Sequence, residues 1–517
     1  MRMKAGLIGR APAWEPLLSQ EGFPWVRMRR PEELDLATFS VVIGEPPDER
    51  MEDALKAYVE AGGAAIVPQR LLARWSHLAW RWERYRYLTP RAGSALRWNR
   101  LIDLPGRGLS IDGHGELVTD RGKAVLPIIP LGKGYAAALP VGPGRYIDDV
   151  RARRICFYSP VRPFPTERVS RIPRGELRLM FRSALEALHH RRGLWYGHLR
   201  FFPDDRTGVF GLRIDTDYAG RDDVEHLYAF LEEFRIPATW FLHVKAHIGW
   251  IRDLAKMEGQ EIGVHCYAHE PYGRGGLDRR EIAKARHLLE GSGISPIGFA
   301  APYGIWREEL PGDLEAEGFL YSSEFGYDYD NLPAYPWVRG GYSSVLHIPI
   351  HPVAVGTLRR TGYGGADMIP YFASVLERKQ AVREPLFFYH HPGDGHLEIL
   401  RNLIGRVDRE AYPMLTFSEY CRWWQERDQL LRSIEISDRG DEIEAEGEKG
   451  TERHLVDVTA PDGKWSCVPL GRKVDLDRLD WHEAPEPPAL LAGIEAIRNA
   501  RVRRFLDDCR AYLWRRK

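Results

Sequence analysis

Two short stretches of the chain carry the residue types that bind a divalent metal ion. One is Arg213-Ile214-Asp215-Thr216-Asp217, and the other, Val264-His265-Cys266-Tyr267-Ala268-His269, contains two histidines four residues apart. One carboxylate and two neutral imidazoles are a common ligand set for a divalent transition metal, and they leave positions open for water and substrate. Such a metal ion lowers the pKa of bound water, so hydroxide forms near neutral pH. The two stretches therefore predict a metal-dependent hydrolytic site.

Each motif alone is weak evidence, because paired histidines are common in cores and an Asp-x-Asp is often a turn. On a helical turn, His265 and His269 would lie on one side and could share a metal. Asp215 and Asp217 stand two apart at a predicted strand end, where one can bind the metal and the other can act as a base toward its water. Finding both motifs at strand ends favours a metal site.

The segments around these motifs predict a barrel-like α/β domain. Strand-like and helix-like segments alternate from about residue 210 to residue 424. The predicted strands are 209–214, 238–243, 261–265 and 385–389, and the predicted helices are 222–234 and 278–290. Repeated βα units with polar groups at the strand ends are typical of (β/α) barrels.

The regions on either side predict further domains. Apolar runs at 4–9, 25–29, 39–44 and 63–68, with a helical pattern at 49–61, indicate an open parallel α/β sheet. We divide the chain into residues 1–200, the barrel at 205–428, and a small β-rich appendage with a C-terminal helix at 431–517. The first region resembles the class I glutamine amidotransferase-like fold. Pro68-Gln69-Arg70 stands where those enzymes need a nucleophilic cysteine, so we expect a non-catalytic domain.

Composition excludes several classes of protein. Lysine plus arginine equals aspartate plus glutamate at 73 each, so no global charge favours nucleic acid. Five scattered cysteines argue against a disulfide framework, and the start of the sequence does not resemble a secretory signal. No apolar run is long enough to span a bilayer. We expect a soluble cytoplasmic protein without a transmembrane segment.

One stretch, residues 70–100, is strongly basic and rich in tryptophan, with eight arginines and one glutamate. Arginine interleaved with aromatics can bind polyanions or an anionic membrane surface. The alternative that we favour is a helical insertion whose tryptophans pack inward under arginine stems. The basic residues 501–517 could also contact a membrane, although a docked terminal helix is the simpler interpretation. No motif supports nucleic-acid binding.

The ordered motifs of residues 205–425 resemble the polysaccharide deacetylase family (carbohydrate esterase family four). That family has an aspartate pair, a histidine pair four apart, an Arg-x-Pro-Tyr-Gly-like loop and a late histidine element. The resemblance implies that Asp215 is the general base and that Asp217, His265 and His269 bind the metal ion. We expect zinc, although cobalt, nickel or iron would suit the same ligands.

Two later motifs complete the resemblance. Ala301-Pro302-Tyr303-Gly304 implies that the backbone amide of Tyr303 helps to hold an oxyanion. Phe388-Tyr389-His390-His391-Pro392 implies that His391 is the general acid. His390 is the competing choice, but it would point to the opposite face if the strand persists.

The sequence departs from the family twice. The usual adjacent aspartates are Asp-Thr-Asp here, a spacing found in divergent members. The arginine expected two residues before Pro302, which would orient the catalytic aspartate, is Ala300. Arg213, two residues before Asp215 on the same strand face, is our hypothesis for its replacement.

These observations lead to one principal function and two alternatives. We expect a metal-dependent hydrolase that removes an acetyl group from an N-acetylated sugar or glycan precursor. The first alternative is hydrolysis of a non-sugar C–N bond, as in divergent members that open cyclic amides such as allantoin, some without a metal. The second is a non-catalytic glycan-binding or assembly protein.

Overall fold

The computed structural model describes residues 2–9, 12–273, 278–438, 442–446, 453–484, 486, 502 and 505–509. The chain divides into two compact units. The first unit contains Met1–Asp148, Pro173–Asp205 and Trp423–Leu490, and the second contains Asp149–Ile172, Arg206–Arg422 and Leu491–Lys517. The segment 149–172 thus joins the unit of residues 206–422, and the strands after residue 431 join the N-terminal unit.

The second unit is built on a seven-stranded parallel sheet that forms a half-barrel. In spatial order its strands are Leu346–His347, Tyr321–Ser322, Gly298–Phe299, Glu261–Cys266, Ala238–His243, Phe210–Asp215 and Leu386–His390. The longer strands are almost wholly buried, as expected for a parallel sheet covered on both faces. The backbone amide of His351, just beyond one edge strand, donates to the carbonyl of Phe387 on the opposite edge strand at 2.9 Å.

Helices connect these strands in the βα pattern. They are Arg221–Glu233, Val244–His247, Ile251–Leu254, Arg279–Glu290, Leu310–Ala316, Val355–Thr361, Gly365–Ala381 and Leu397–Gly405, with 3-10 turns at Pro302–Gly304 and Pro392–Asp394. The side chain of Asp278 caps Arg279–Glu290 by accepting from the amides of Arg280 and Glu281. Two short hairpins pair Ala152–Cys156 with Thr166–Ser170, and Trp337–Val338 with Gly341–Tyr342.

The first unit contains a six-stranded sheet that is parallel except at one edge. In spatial order its strands are Ile128–Leu131, Gly134–Ala137, Ala64–Ile66, Val41–Gly44, Ala5–Ile8 and Trp25–Arg27. The helices of this part of the chain are Trp14–Glu21, Glu49–Glu60, Gln69–Ser76, Gly144–Asp148 and Arg174–His190, with a 3-10 turn at Pro31–Glu33. Gln69 begins the helix after the strand Ala64–Ile66, where the resemblance places a nucleophile.

The remaining strands of the first unit are short and antiparallel. They are Trp80–Tyr85 with Gly106–Ile111; Leu88–Pro90 with Leu117–Thr119 and Ala124–Val125; Tyr196–Leu199 with Leu455–Thr459 and Trp465–Pro469; and Glu435–Asp438 with Glu442–Glu446 and Arg472–Asp475. A 3-10 turn lies at Leu476–Arg478, and a helix spans Phe417–Leu430. Most of the expected C-terminal helix lies outside the described residues.

The expected helical insertion at residues 70–100 is wrong for most of that stretch. Only Gln69–Ser76 is helical, and the strands Trp80–Tyr85 and Leu88–Pro90 follow. Trp75 and Trp98 are buried as expected, but Trp80 is 47% exposed. The arginine and aromatic residues fit a half-exposed strand as well as a helix, and pairing with Gly106–Ile111 decides for the strand. A membrane contact here stays a prediction.

Among the helices that the structure describes, none is both long and apolar enough to cross a membrane.

Candidate active site

The candidate catalytic side chains gather where neighbouring parallel strands end. Asp215 and His390 are the last residues of adjacent strands, and His243 ends the strand on the other side of Asp215. His265 is the penultimate residue of the next strand along. Because parallel strands present their carboxyl ends at one edge, four segments distant in sequence supply one site.

Asp217, His265 and His269 form a potential metal site, here called the metal cluster. One ligand atom from each residue lies within 4.8 Å of the others. Oδ1 of Asp217 is 3.2 Å from Nε2 of His265 and 3.1 Å from Nε2 of His269. Nδ1 of His265 lies 2.6 Å from the carbonyl oxygen of Ala300. Since a carbonyl can only accept, Nδ1 carries the proton and Nε2 offers its lone pair, so the residues fit a divalent transition metal.

The two histidines do not converge through a helical turn, and that expectation is wrong. His265 lies on the strand Glu261–Cys266, and His269 lies in the irregular segment that follows. Their ring centroids are 5.1 Å apart. The loop after the strand, rather than helical periodicity, therefore brings the second imidazole back to the first.

Arg213 holds the proposed base, Asp215, through two hydrogen bonds. Its Nε donates to Oδ1 of Asp215 at 2.6 Å and its Nη2 donates to Oδ2 at 2.7 Å, while Nη1 donates to the carbonyl oxygen of Ser323. Both side chains are buried. Burial raises the pKa of Asp215, but the Arg213 charge and hydrogen bonds, with the nearby imidazoles, outweigh it and lower this pKa overall. The carboxylate is thus kept ionised away from bulk water.

Tyr303 is held in an unusual backbone conformation beside the metal cluster. Its φ of 60° and ψ of 12° are left-handed, a region that non-glycine residues rarely adopt. Its ring packs edge-on against the ring of His269 at 4.9 Å. The carbonyl of Gly304, the next residue, accepts from the amide of Gly326 at 2.8 Å. A strained conformation maintained next to candidate ligands is typical of functional loops.

His391 lies beside the metal cluster. Its Nδ1 is 3.0 Å from Oδ2 of Asp394, and its Nε2 is 3.8 Å from Oδ2 of Asp217. Burial lowers the pKa of His391, but the hydrogen bond to Asp394 and the charges of Asp217 and Asp215 raise it above its ordinary value. His390, the competing candidate, is fully buried, and burial lowers its pKa to about 4. Of the two candidates, His391 is therefore the one that lies beside the metal cluster.

The family model for polysaccharide deacetylases matches residues 204–321. This match assigns a polysaccharide deacetylase domain to residues 204–321, here called the deacetylase domain. The match includes the metal cluster, Asp215 and Tyr303, and it ends before the strand that leads to His391. No curated protein matches the chain.

Several solved structures are similar to part of this chain. A protein described as a polysaccharide deacetylase from Mycobacterium smegmatis is 20% identical, covering 44% of this chain and 94% of its own, with a TM-score of 0.39. One from Pseudomonas aeruginosa PAO1 is 18% identical over 43% of this chain and 92% of its own, with a TM-score of 0.36. An allantoinase is 18% identical, covering 44% of this chain and 92% of its own, with a TM-score of 0.36. The amidotransferase-like resemblance stays a prediction.

Sequence reasoning missed the part that Glu324 plays beside the deacetylase motifs. Its Oε1 accepts from the amide of Ala301 at 3.1 Å, just before the Pro302–Gly304 turn. The side chain is fully buried, and burial raises its pKa to about 7 despite the nearby Arg213 charge. Ser323, its neighbour, supplies the carbonyl that Arg213 contacts. A lone glutamate after a short strand gives no signal of this role, because the contact depends on how two loops meet.

Proposed function

We propose that the deacetylase domain is a metal-dependent hydrolase that removes an acetyl group from an N-acetylated sugar or glycan precursor. The observation that carries the proposal is the convergence of the metal cluster beside a buried carboxylate that an arginine keeps ionised. The family match over residues 204–321 supports acetylated carbohydrate as the substrate class. Zinc is our first choice of metal, because two imidazoles and one carboxylate suit it.

Each residue has a distinct role in this proposal. A divalent ion held by the metal cluster would activate water and polarise the acyl carbonyl. Asp215 accepts the proton of the attacking water as the new carbon–oxygen bond forms. The backbone amide of Tyr303 donates to the oxygen on which negative charge develops.

Breaking the carbon–nitrogen bond then requires an acid next to the departing amine. Protonated His391, oriented through Nδ1 by Asp394, donates from Nε2 to the departing amine as the carbon–nitrogen bond breaks. The products are acetate and the free amino sugar. Arg213 takes the place of the arginine that Ala300 replaces, because its two hydrogen bonds keep Asp215 in the basic form.

The test compares acetylated sugars with a cyclic amide. Purified protein is stripped with a chelator, reloaded with zinc, and assayed for acetate release from N-acetylated mono- and oligosaccharides and for ring opening of allantoin. We expect zinc-dependent acetate release and no ring opening. Metal-independent ring opening would support the alternative of a non-sugar hydrolase. Absence of both reactions in protein that holds zinc would favour the non-catalytic alternative.

A further inference from the structure

The Asp-Thr-Asp spacing can form a metal site only if the chain turns sharply after Asp215. Asp217 has a φ of 43°, in the left-handed region. That region costs an L-residue about 1–2 kcal/mol, although aspartate tolerates it better than most. The side chain of Asp217 is about one-third exposed, and its Oδ1 reaches Nε2 of both His265 and His269. Something must hold this turn.

The end of the neighbouring strand Ala238–His243 supplies the contacts. Nδ1 of His243 lies 2.8 Å from the carbonyl oxygen of Asp217, and because a carbonyl only accepts, Nδ1 is the donor. The amide of His243 donates to Oγ1 of Thr216 at 3.0 Å. The amide of Thr216 donates to the carbonyl of Phe241 at 3.1 Å. These three hydrogen bonds bind the inserted threonine and the metal ligand to one strand end.

The imidazole of His243 is itself fixed by its surroundings. It is 3% exposed, its centroid is 5.7 Å from that of His269, and the ring of Tyr218 packs on it edge-on at 4.8 Å. His243 is not a member of the metal cluster. The ligand atoms of the cluster lie within 4.8 Å of one another and no ring nitrogen of His243 is among them, so the ring supports a ligand instead of acting as one.

We propose that His243 is a positioning residue for the metal site, and that it lets Asp-Thr-Asp serve where the family usually has adjacent aspartates. By holding the carbonyl of Asp217, it keeps the left-handed turn that aims this carboxylate at the two imidazoles. Thr216 assists as an acceptor within the same contact. The inference rests on the metal site of the proposed function, but it can be tested by metal binding alone.

The test measures zinc affinity by competition with a chromophoric chelator for the full-length wild type and three variants. His243→Ala loses the donor, and we expect its affinity to fall about 10- to 100-fold, as when groups that orient a metal ligand are removed. His243→Asn keeps a donor at the position of Nδ1, and its affinity should stay within a few-fold of the wild type. His247→Ala is the matched control, a buried histidine whose ring lies 6.4 Å from that of His243.

The outcomes separate a positioning role from a merely structural one. Wild-type affinity in a folded His243→Ala protein would overturn the inference, as would equal losses in the Asn and Ala variants. If His243→Ala does not fold, Thr216→Val provides the second variant. It removes the acceptor for the His243 amide, so its zinc affinity should also fall, and an unchanged affinity would overturn the proposal.

The inference and the proposed function can fail separately. Zinc binding that depends on His243, in a protein that releases no acetate, would keep the inference and refute the function. A wild-type protein that binds no zinc would refute the metal site and the inference with it.

Discussion

Arg213 and Asp215 form a buried two-point ion pair on one strand, with donor–acceptor distances of 2.6 and 2.7 Å. The two residues are separated by one position, so their side chains leave the same face of the strand. Planar guanidinium matches both carboxylate oxygens, which a lysine cannot do. In our proposal, this pair takes the place of the arginine that the family has where this chain has Ala300.

Removing the arginine should shift the pH dependence of catalysis. Asp215 works as a base when ionised, and Arg213 lowers its pKa against the opposing effect of burial. In Arg213→Ala only the nearby imidazoles still oppose the effect of burial, so the pKa of Asp215 rises and the acid limb of the pH–rate profile moves to higher pH. Arg213→Lys keeps the positive charge, so this variant should shift the acid limb less than Arg213→Ala does. The exposed Arg221→Lys is the control, and an unmoved limb in Arg213→Ala would contradict the role assigned to the pair.

Asp394 should determine the pH at which the alkaline limb of the pH–rate profile falls. His391 works as an acid when protonated, and its hydrogen bond to Asp394 helps to raise its pKa. Asp394→Asn removes this support, so His391 loses its proton at lower pH and the alkaline limb moves down. Glu398→Gln breaks an exposed histidine–carboxylate pair with His396 and serves as the control. Equal profiles for wild type and Asp394→Asn would remove His391 from the role of acid.

Glu324 should affect turnover more than substrate binding. Its carboxylate oxygen holds the amide of Ala301, two residues before Tyr303. Glu324→Ala frees this loop, and we expect kcat to fall about 10- to 100-fold with little change in KM, since displaced groups stabilise the transition state less well. Glu324→Gln retains an acceptor oxygen and should keep most of the activity. A rise in KM at constant kcat would instead place Glu324 in substrate binding.

The same residue should make stability depend on pH. Folding raises the pKa of Glu324 from 4.5 to about 7, so the folded state favours the protonated form. The stability that this provides is complete below pH 4.5 and is lost as pH rises through 7. Glu324→Gln mimics the protonated form. From pH 5 to pH 8 the melting temperature of the variant should therefore rise relative to that of the wild type. The corresponding change in the difference between their free energies of unfolding is about 3 kcal/mol at most. A constant difference would contradict the burial of an ionisable carboxyl here.

Periodicity and strand-end position predict much of the second unit. The strand predicted at 238–243 is found at Ala238–His243, and the helix predicted at 278–290 is found at Arg279–Glu290. Continuous apolar runs that end in polar residues place Asp215 and His265 at one edge of the sheet. The choice of site residues depends on that placement together with the family resemblance.

The remaining features depend on contacts that no local pattern encodes. The left-handed turn at Asp217 depends on His243, a residue 26 positions later in the chain. The approach of His269 depends on a loop, although its spacing also fits a helix. The strand Trp80–Tyr85 is not recognisable from its residues because arginine and tryptophan fit either a helix or a strand, and only pairing with Gly106–Ile111 decides between them.

The most direct test of the central claim compares acetate release by zinc-loaded wild type and Asp215→Asn on an N-acetylated oligosaccharide, with zinc content measured in the same samples. The asparagine side chain is nearly the same size as aspartate but cannot take a proton from water. We predict equal zinc content and a loss of about 100- to 10,000-fold in kcat for the variant. Full activity in Asp215→Asn, or no acetate release from any acetylated sugar by zinc-loaded wild type, would contradict the account.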